Sequence, residues 1–212
     1  ANVVKKTPII AGVEANDPYF LDLEGSLKRF IDKGYSGVIN FPTVGLYENL
    51  IEGGMAFRKY TESLAKSYGV AHWGWSREVE MIRILHSWDV FTIAYVLSPS
   101  DAKEMAEAGA DVIAPHVGPT MGGLAGFEPL AGLNELLDKA QKMIDAAREV
   151  NPDIIALIHG GPFYTPESTK IIYEKTTAQG FIGASAIERV PVEMGVANAV
   201  KAYKSFKIAR QK

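Results

Sequence analysis

Residues 106–117 read AEAGADVIAPHV. A helix tail runs into Gly109, a short apolar strand follows, and a proline and a histidine close it. The same order recurs in IDKGYSGVINFP (31–42) and TAQGFIGASAIE (177–188). In each copy the glycine, Gly34, Gly109 or Gly180, suits the left-handed residue that ends a helix, because it lacks the Cβ that makes that conformation costly. The apolar segments alternate too little to be half-exposed, which is how parallel strands covered on both faces read. Strands are predicted at roughly 8–13, 36–41, 90–96, 111–116, 153–158 and 180–185.

Helix signals lie between them. Ser98-Pro99-Ser100-Asp101 offers a capping hydroxyl, a first-turn proline and an acid, and Thr165-Pro166-Glu167 repeats the pattern. Leu133, Leu136, Leu137, Ala140, Ile144, Ala147 and Val150 form one apolar stripe at helical spacing. Alternating strands and helices mean a parallel α/β domain, either an open doubly wound sheet or a closed barrel. The open sheet usually announces a glycine-rich first turn, and no GxGxxG or GxxxxGK[ST] occurs here. The reading is therefore a (βα)8 TIM barrel forming one domain over residues 1–212. Only six units are visible, and Val3-Val4-Lys5-Lys6 resembles the last turn of a helix, so the first two βα units are expected to be missing. An insertion at about 43–76 interrupts the rhythm, with residues 54–68 reading as helix; it would serve as a lid, an oligomer contact or plain surface packing.

The 212 residues are 47% hydrophobic and 22% charged, with a formal net charge of −3. Neither nucleic acid nor an anionic membrane is expected as a partner of such a chain. Cysteine is absent, which removes disulfides and thiolate chemistry. No apolar run reaches a membrane span, so a cytoplasmic location is expected.

Parallel barrel strands deliver their last residues to one rim. The groups expected there are Glu14, Asp17, Asn40, Tyr95, His116, His159, Ser185 and Glu188. In IIALIHGGPFYTPESTK (154–170), an apolar run ends on His159 and then the bare backbone of Gly160-Gly161. Those glycines, with Gly183 and Ser185, would form a phosphate or carboxylate cradle of N–H groups; a simple tight turn is the alternative. His116 and His159, at matching strand ends, suit proton transfer, though either also reads as a structural histidine. Glu188 beside Arg189 would place a carboxylate and a cation on the rim, or a mere surface ion pair. Oxygen ligands at Glu14, Asp17 and Glu188 would suit magnesium. Glu78 and Glu80 open a helix, where acids suit the dipole in any case. His72 and His86 are given no role. PHVGPTMGG (115–123) is a glycine-rich loop flexible enough to close over a ligand, or else an idle surface loop. The lysines all fall in helices or helix ends, which argues against a Schiff base, and Ile187 breaks the match of GASAIE to a nucleophile elbow.

The blocks VKKTPIIAGVEANDPY (4–19), GYSGVINFPTVGL (34–46), REVEMIRILHSWDV (77–90), EAGADVIAPHVGPTMGG (107–123), VNPDIIALIHGGP (150–162) and GFIGASAIERVPVE (180–193) together resemble the phosphoenolpyruvate hydrolase-like TIM-barrel family. This family belongs to the phosphoenolpyruvate/pyruvate barrel group and also forms the C-terminal domain of a plant virus-resistance protein. The resemblance covers most of the chain and departs from the family pattern between about Arg58 and Ser76. It implies a small phosphorylated or carboxylated acid as substrate, magnesium, and two βα units ahead of the first block. The resulting expectation is a hydrolase or lyase working through an enolate. His116, His159 and Glu188 would be catalytic, Asn40, Gly160, Gly161, Gly183, Ser185 and Arg189 would hold the anion, and Glu14 and Asp17 would hold the metal, in a homo-oligomer. The alternative is a non-catalytic ligand-sensing or protein-interaction barrel.

Overall fold

The computed structural model describes residues 4–69 and 73–206. Six strands form one parallel sheet in sequential order: β1 (Ile10–Gly12), β2 (Gly37–Ile39), β3 (Phe91–Val96), β4 (Val112–Pro115), β5 (Ile155–His159) and β6 (Gly180–Ile182). All six lie where the apolar runs predict them. The central β4 is buried at every position, whereas β1 and β6, at the two edges, are only partly covered. The sheet is curled: Ile10 and Gly12 of β1 and Ile182 of β6 line the same open pocket, about 310 Å3, with Ile39, Phe41, Ile93, Tyr95 and Ala184.

The helices are α1 (Leu23–Asp32), α2 (Val44–Leu50), α3 (Gly54–Tyr68), α4 (Trp75–Ser87), α5 (Pro99–Glu107), α6 (Leu133–Arg148), α7 (Pro166–Lys175), α8 (Ser185–Glu188) and α9 (Val190–Lys204). The caps work as their chemistry dictates. The Ser98 hydroxyl accepts from the Asp101 N–H at 3.1 Å, and the Thr165 hydroxyl accepts from the Ser168 N–H at 3.1 Å in a reciprocal capping box. On α6, Leu136, Leu137, Ala140, Ile144 and Ala147 are buried as the stripe predicts, and Met143 joins them. Leu133 and Val150 are exposed, because the sheet does not extend under the ends of this helix.

Two expectations are corrected. Gly34 and Gly109 do adopt positive φ after helices, at 83° and 92°. Gly180 instead begins β6; α7 ends at Thr176 in extended backbone, so the chain leaves that helix without a left-handed residue. Residues 4–7 form coil and bends rather than a last helical turn, Pro8 being incompatible with a helix continuing through it; Val3 lies outside the described residues, as does His72.

The described residues of segment 43–76 are structured. The segment holds α2, α3 and the start of α4, and it is riveted inward by Arg58, whose guanidinium meets Asp101 Oδ1 at 2.6 Å and Glu62 Oε1 at 2.7 Å. The same guanidinium lies 4.8 Å from the Trp75 ring centroid, and the Trp75 indole N–H donates to Glu104 Oε2 at 2.7 Å. This network fastens α3 to α4 and α5. At the other end of the chain α9 has no buried residue, and Val192, Val196, Val200 and Tyr203 stand exposed along it.

Candidate functional site at the strand tips

Three of the polar tips, Tyr95, His116 and His159, come together, because parallel strands end on one side and the sheet curls around them. Tyr95 and His159 belong to strands separated by β4, yet their ring centroids are 4.9 Å apart. His116 completes the cluster, 5.4 Å from Tyr95 and 4.7 Å from His159. Both histidines are 6% exposed. Burial lowers the His116 pKa to about 3, with His159 and the Lys139 ammonium contributing in the same sense. Burial also lowers that of His159, against the opposing effect of its hydrogen bond to Ile182. Two neutral imidazoles therefore face each other, and burial pushes the neighbouring Tyr95 phenol well above its usual range.

Each ring is held by one nitrogen. The Gly118 N–H donates to His116 Nδ1 at 3.2 Å. His159 Nδ1 lies 2.8 Å from the Ile182 carbonyl oxygen, so it must donate there. From His116 a cleft of about 720 Å3 runs outward between α2 and α6, past Asn49, Leu97, Gly118 and Glu135 to Lys139 and Lys142.

Asn40, expected to bind the substrate, is committed elsewhere. Its Oδ1 accepts from the Tyr95 N–H at 2.6 Å, and its Nδ2 donates to Glu78 Oε2 at 2.6 Å and to the Tyr95 carbonyl at 3.2 Å. With both amide hydrogens engaged it has no donor left for a ligand, and it positions Tyr95 instead. Glu78 is the residue that sequence reasoning undervalued. It is fully buried on α4 and also accepts from the Thr43 hydroxyl at 2.7 Å and the Val44 N–H at 2.6 Å. Burial raises its pKa to about 8 despite these donors. The signal was present: Glu78 sits on the apolar stripe Trp75, Val79, Ile82, Leu85, where a surface acid has no reason to stand.

Arg77, beside it, carried no sequence signal of its role. It donates to the carbonyls of Ala15 and Phe20 and so shapes the loop after β1. In that loop Asn16 Oδ1 accepts from the Gly74 N–H at 2.7 Å, while its buried Nδ2 has no hydrogen-bond partner among the described residues.

The glycine pair does not form the expected cradle. Gly160 and Gly161 are buried, with φ of 84° and 59°. The Gly161 N–H donates to the Gly118 carbonyl at 2.8 Å, and the Gly161 carbonyl accepts from the Met121 N–H at 3.0 Å. A Cβ on Gly160 would come within 2.1 Å of the Gly118 oxygen. The pair is thus a tight left-handed turn, bare because the loop after β4 presses on it. Gly183 and Ser185 stand at the tip of β6, close to the His159–Ile182 bond, and the Ser185 hydroxyl makes no hydrogen bond among the described residues.

The Glu188–Arg189 pairing is also corrected. Glu188 is exposed and outside the cluster, whereas Arg189 bonds Glu193 one turn further on at 3.0 Å. Arg189 also donates to the Gly122 carbonyl at 2.8 Å and the Thr120 carbonyl at 3.3 Å, and Glu193 Oε2 accepts from the Leu124 N–H at 2.7 Å. Segment 120–124 is clamped to α9 by this pair. The residues proposed for magnesium do not fit it as placed. Glu14 Oε1 accepts from the Asn16 N–H and Asp17 Oδ1 from the Tyr19 N–H, each turning its own loop. Among the described residues no three histidine or acidic side chains come together in a metal-binding group.

The sequence pattern of this whole frame is that of a known family: a profile of phosphoenolpyruvate hydrolase-like proteins matches residues 1–206. The chain belongs to the phosphoenolpyruvate hydrolase-like family. Among its relatives are the ToMV susceptible protein tm-1(GCR26) of Solanum lycopersicum, 40% identical over 205 residues, and the putative transcriptional regulatory protein y4pA of Sinorhizobium fredii (strain NBRC 101917 / NGR234), 30% identical over 200 residues. These alignments cover 96% and 94% of this chain but only 25% and 30% of the relatives, so the chain spans about a quarter to a third of their length. Solved structures similar to it include a putative phosphonomutase from Burkholderia cenocepacia J2315, with a TM-score of 0.44 and 14% identity over 84% of this chain and 72% of that one. Another is dihydrodipicolinate synthase from Thermotoga maritima, with a TM-score of 0.45 and 14% identity over 94% of this chain and 56% of that one.

Proposed function

We propose that the strand tips bind a small phosphorylated or carboxylated acid of the phosphoenolpyruvate type and turn it over through an enolate. The observation that carries this reading is the pair of buried, neutral histidines meeting at 4.7 Å beside Tyr95, at the end of a parallel sheet where such chemistry gathers. Membership of a phosphoenolpyruvate hydrolase-like family supports the substrate class. Lys139 and Lys142, in the cleft that reaches His116, supply positive charge on the approach. Ser185 and the Gly183 backbone are the remaining candidates for the anion. In this reading the curled sheet is part of a (βα)8 barrel, two further parallel strands closing the gap between the edges of β1 and β6. The uncovered apolar side chains of α9 support association with another copy or domain. No helix among the described residues is long and apolar enough to cross a membrane, and we place the protein in the cytoplasm.

The test is release of pyruvate and phosphate from phosphoenolpyruvate, with and without added magnesium, repeated with His159→Ala. Turnover that is lost in the variant supports the reading, and turnover unchanged by it removes His159 from the mechanism. A second reading, a non-catalytic ligand-sensing or protein-interaction barrel, is favoured by the relatives' names, which describe virus susceptibility and transcriptional regulation rather than catalysis. Thermal stabilisation by phosphoenolpyruvate without any turnover would favour it.

A further inference from the structure

The two histidines are not interchangeable, and backbone hydrogen bonds determine the difference. A backbone N–H can only donate, so His116 Nδ1, which receives the Gly118 N–H, carries a lone pair. In a neutral ring the proton must then sit on Nε2. A carbonyl oxygen can only accept, so His159 Nδ1, facing Ile182 O, carries the proton. Its Nε2 is therefore the bare lone pair. Among the described residues neither Nε2 has an intramolecular hydrogen bond.

We infer that His159 Nε2 is the general base and His116 Nε2–H the electrophilic donor of one enolisation site, whose substrate is a small 2-oxo acid with a C–H next to its carbonyl. This rests on the reading of the strand tips as an acid-binding site and assigns its roles. The step balances without a co-reactant. His159 Nε2 takes the proton from carbon, and the C–H electron pair becomes the C=C bond of the enolate. The carbonyl π pair moves onto oxygen, where the His116 N–H meets the new charge. His116 keeps its proton throughout. A neutral, buried imidazole suits that task because it donates without itself being an acid, and its burial strengthens the bond to the developing oxyanion. Tyr95 from β3 packs against both rings and the Lys139 ammonium from α6 opposes charging of His116, while Glu135 and Asp138 of α6 are the carboxylates that line the same cleft.

Two measurements test this. Long-range 1H–15N correlation spectra of the labelled chain at pH 7, assigned with the variants below, report which nitrogen of each ring carries the proton. The expected pattern is Nε2–H for His116 and Nδ1–H for His159; a shared tautomer, or a charged ring, overturns the inference. The second measurement is exchange of the pyruvate methyl protons with D2O. His159→Asn keeps an amide nitrogen at the δ position for Ile182 but removes the base, and exchange should fall about 100-fold or more. His116→Gln keeps an N–H at the ε position and should stay within about tenfold of the unmutated chain, whereas His116→Asn, which cannot reach it, should lose about 100-fold. Equal effects of the two His116 variants, or no effect of His159→Asn, overturn the roles, and so does absence of exchange in the unmutated chain. Phosphate release from phosphoenolpyruvate is scored separately: exchange without phosphate release ends the hydrolase reading and leaves this one standing.

Discussion

The Asn40 side-chain nitrogen lies 2.6 Å from Glu78 Oε2, and through this bond a fully buried acid on α4 fixes the ends of β2 and β3. The two residues are 38 positions apart and neither is free to meet a ligand. What they deliver is the placement of Tyr95, whose own N–H and carbonyl are both held by Asn40.

Removing the acid should therefore cost more than its one carboxyl suggests. Glu78→Ala leaves buried donors at Asn40, Thr43 and Val44 without an acceptor, and a loss of about 3 kcal/mol is expected by urea denaturation. Glu78→Gln should lose less, since its oxygen can still serve Asn40 and Thr43 while its NH2 group opposes the Val44 N–H.

Stability should have an optimum on the acid side of neutrality. Burial raises Glu78 to about 8 and the 2%-exposed Glu48 to about 7. Acids raised from 4.5 favour the fold fully below that pH, and the advantage is lost as pH rises through 7 and 8. Burial lowers His116 from 6.5 to about 3, so its contribution is complete above 6.5 and is lost as pH falls toward 3. Urea midpoints should be flattest between the two ordinary values, decline from neutrality to about pH 8, and decline again in acid. A midpoint that climbs from pH 6.5 to 8 would contradict the burial of the two acids.

Among the described residues Arg58 is the single cation paired with Glu48, Glu62, Asp101 and Glu104. Arg58→Leu strands the fully buried Asp101 carboxylate, and breaking a buried pair from one side costs about 3 kcal/mol. Hydrogen exchange in α3 should accelerate ahead of the sheet, since this network fastens α3 to α4 and α5.

Gly160→Ala asks an L residue to hold φ of 84° with its Cβ against the Gly118 oxygen. A cost of about 2 kcal/mol is expected from the backbone conformation alone. Because Gly118 also holds the His116 ring, any turnover should fall along with the melting temperature.

Arg189→Ala should leave the sheet intact and release the loop after β4. Amides from Thr120 to Leu124 would exchange faster by mass spectrometry, and those of β4 would not, because the clamp reaches only loop carbonyls and one loop N–H.

Local chemistry alone determined the strands and several helix boundaries, since apolar runs, capping hydroxyls and first-turn prolines act within a few residues of themselves. The convergence of His116, Tyr95 and His159 was likewise implied, because parallel strands must end on one side. Partner choice was not legible, because it depends on which atoms meet across long separations. Gly161 spends its N–H on Gly118, Asn40 spends its amide on Glu78, and Arg189 turns to Glu193 rather than to its neighbour. A buried polar group takes the first complementary partner that packing brings within reach, and only the tertiary structure determines which one that is.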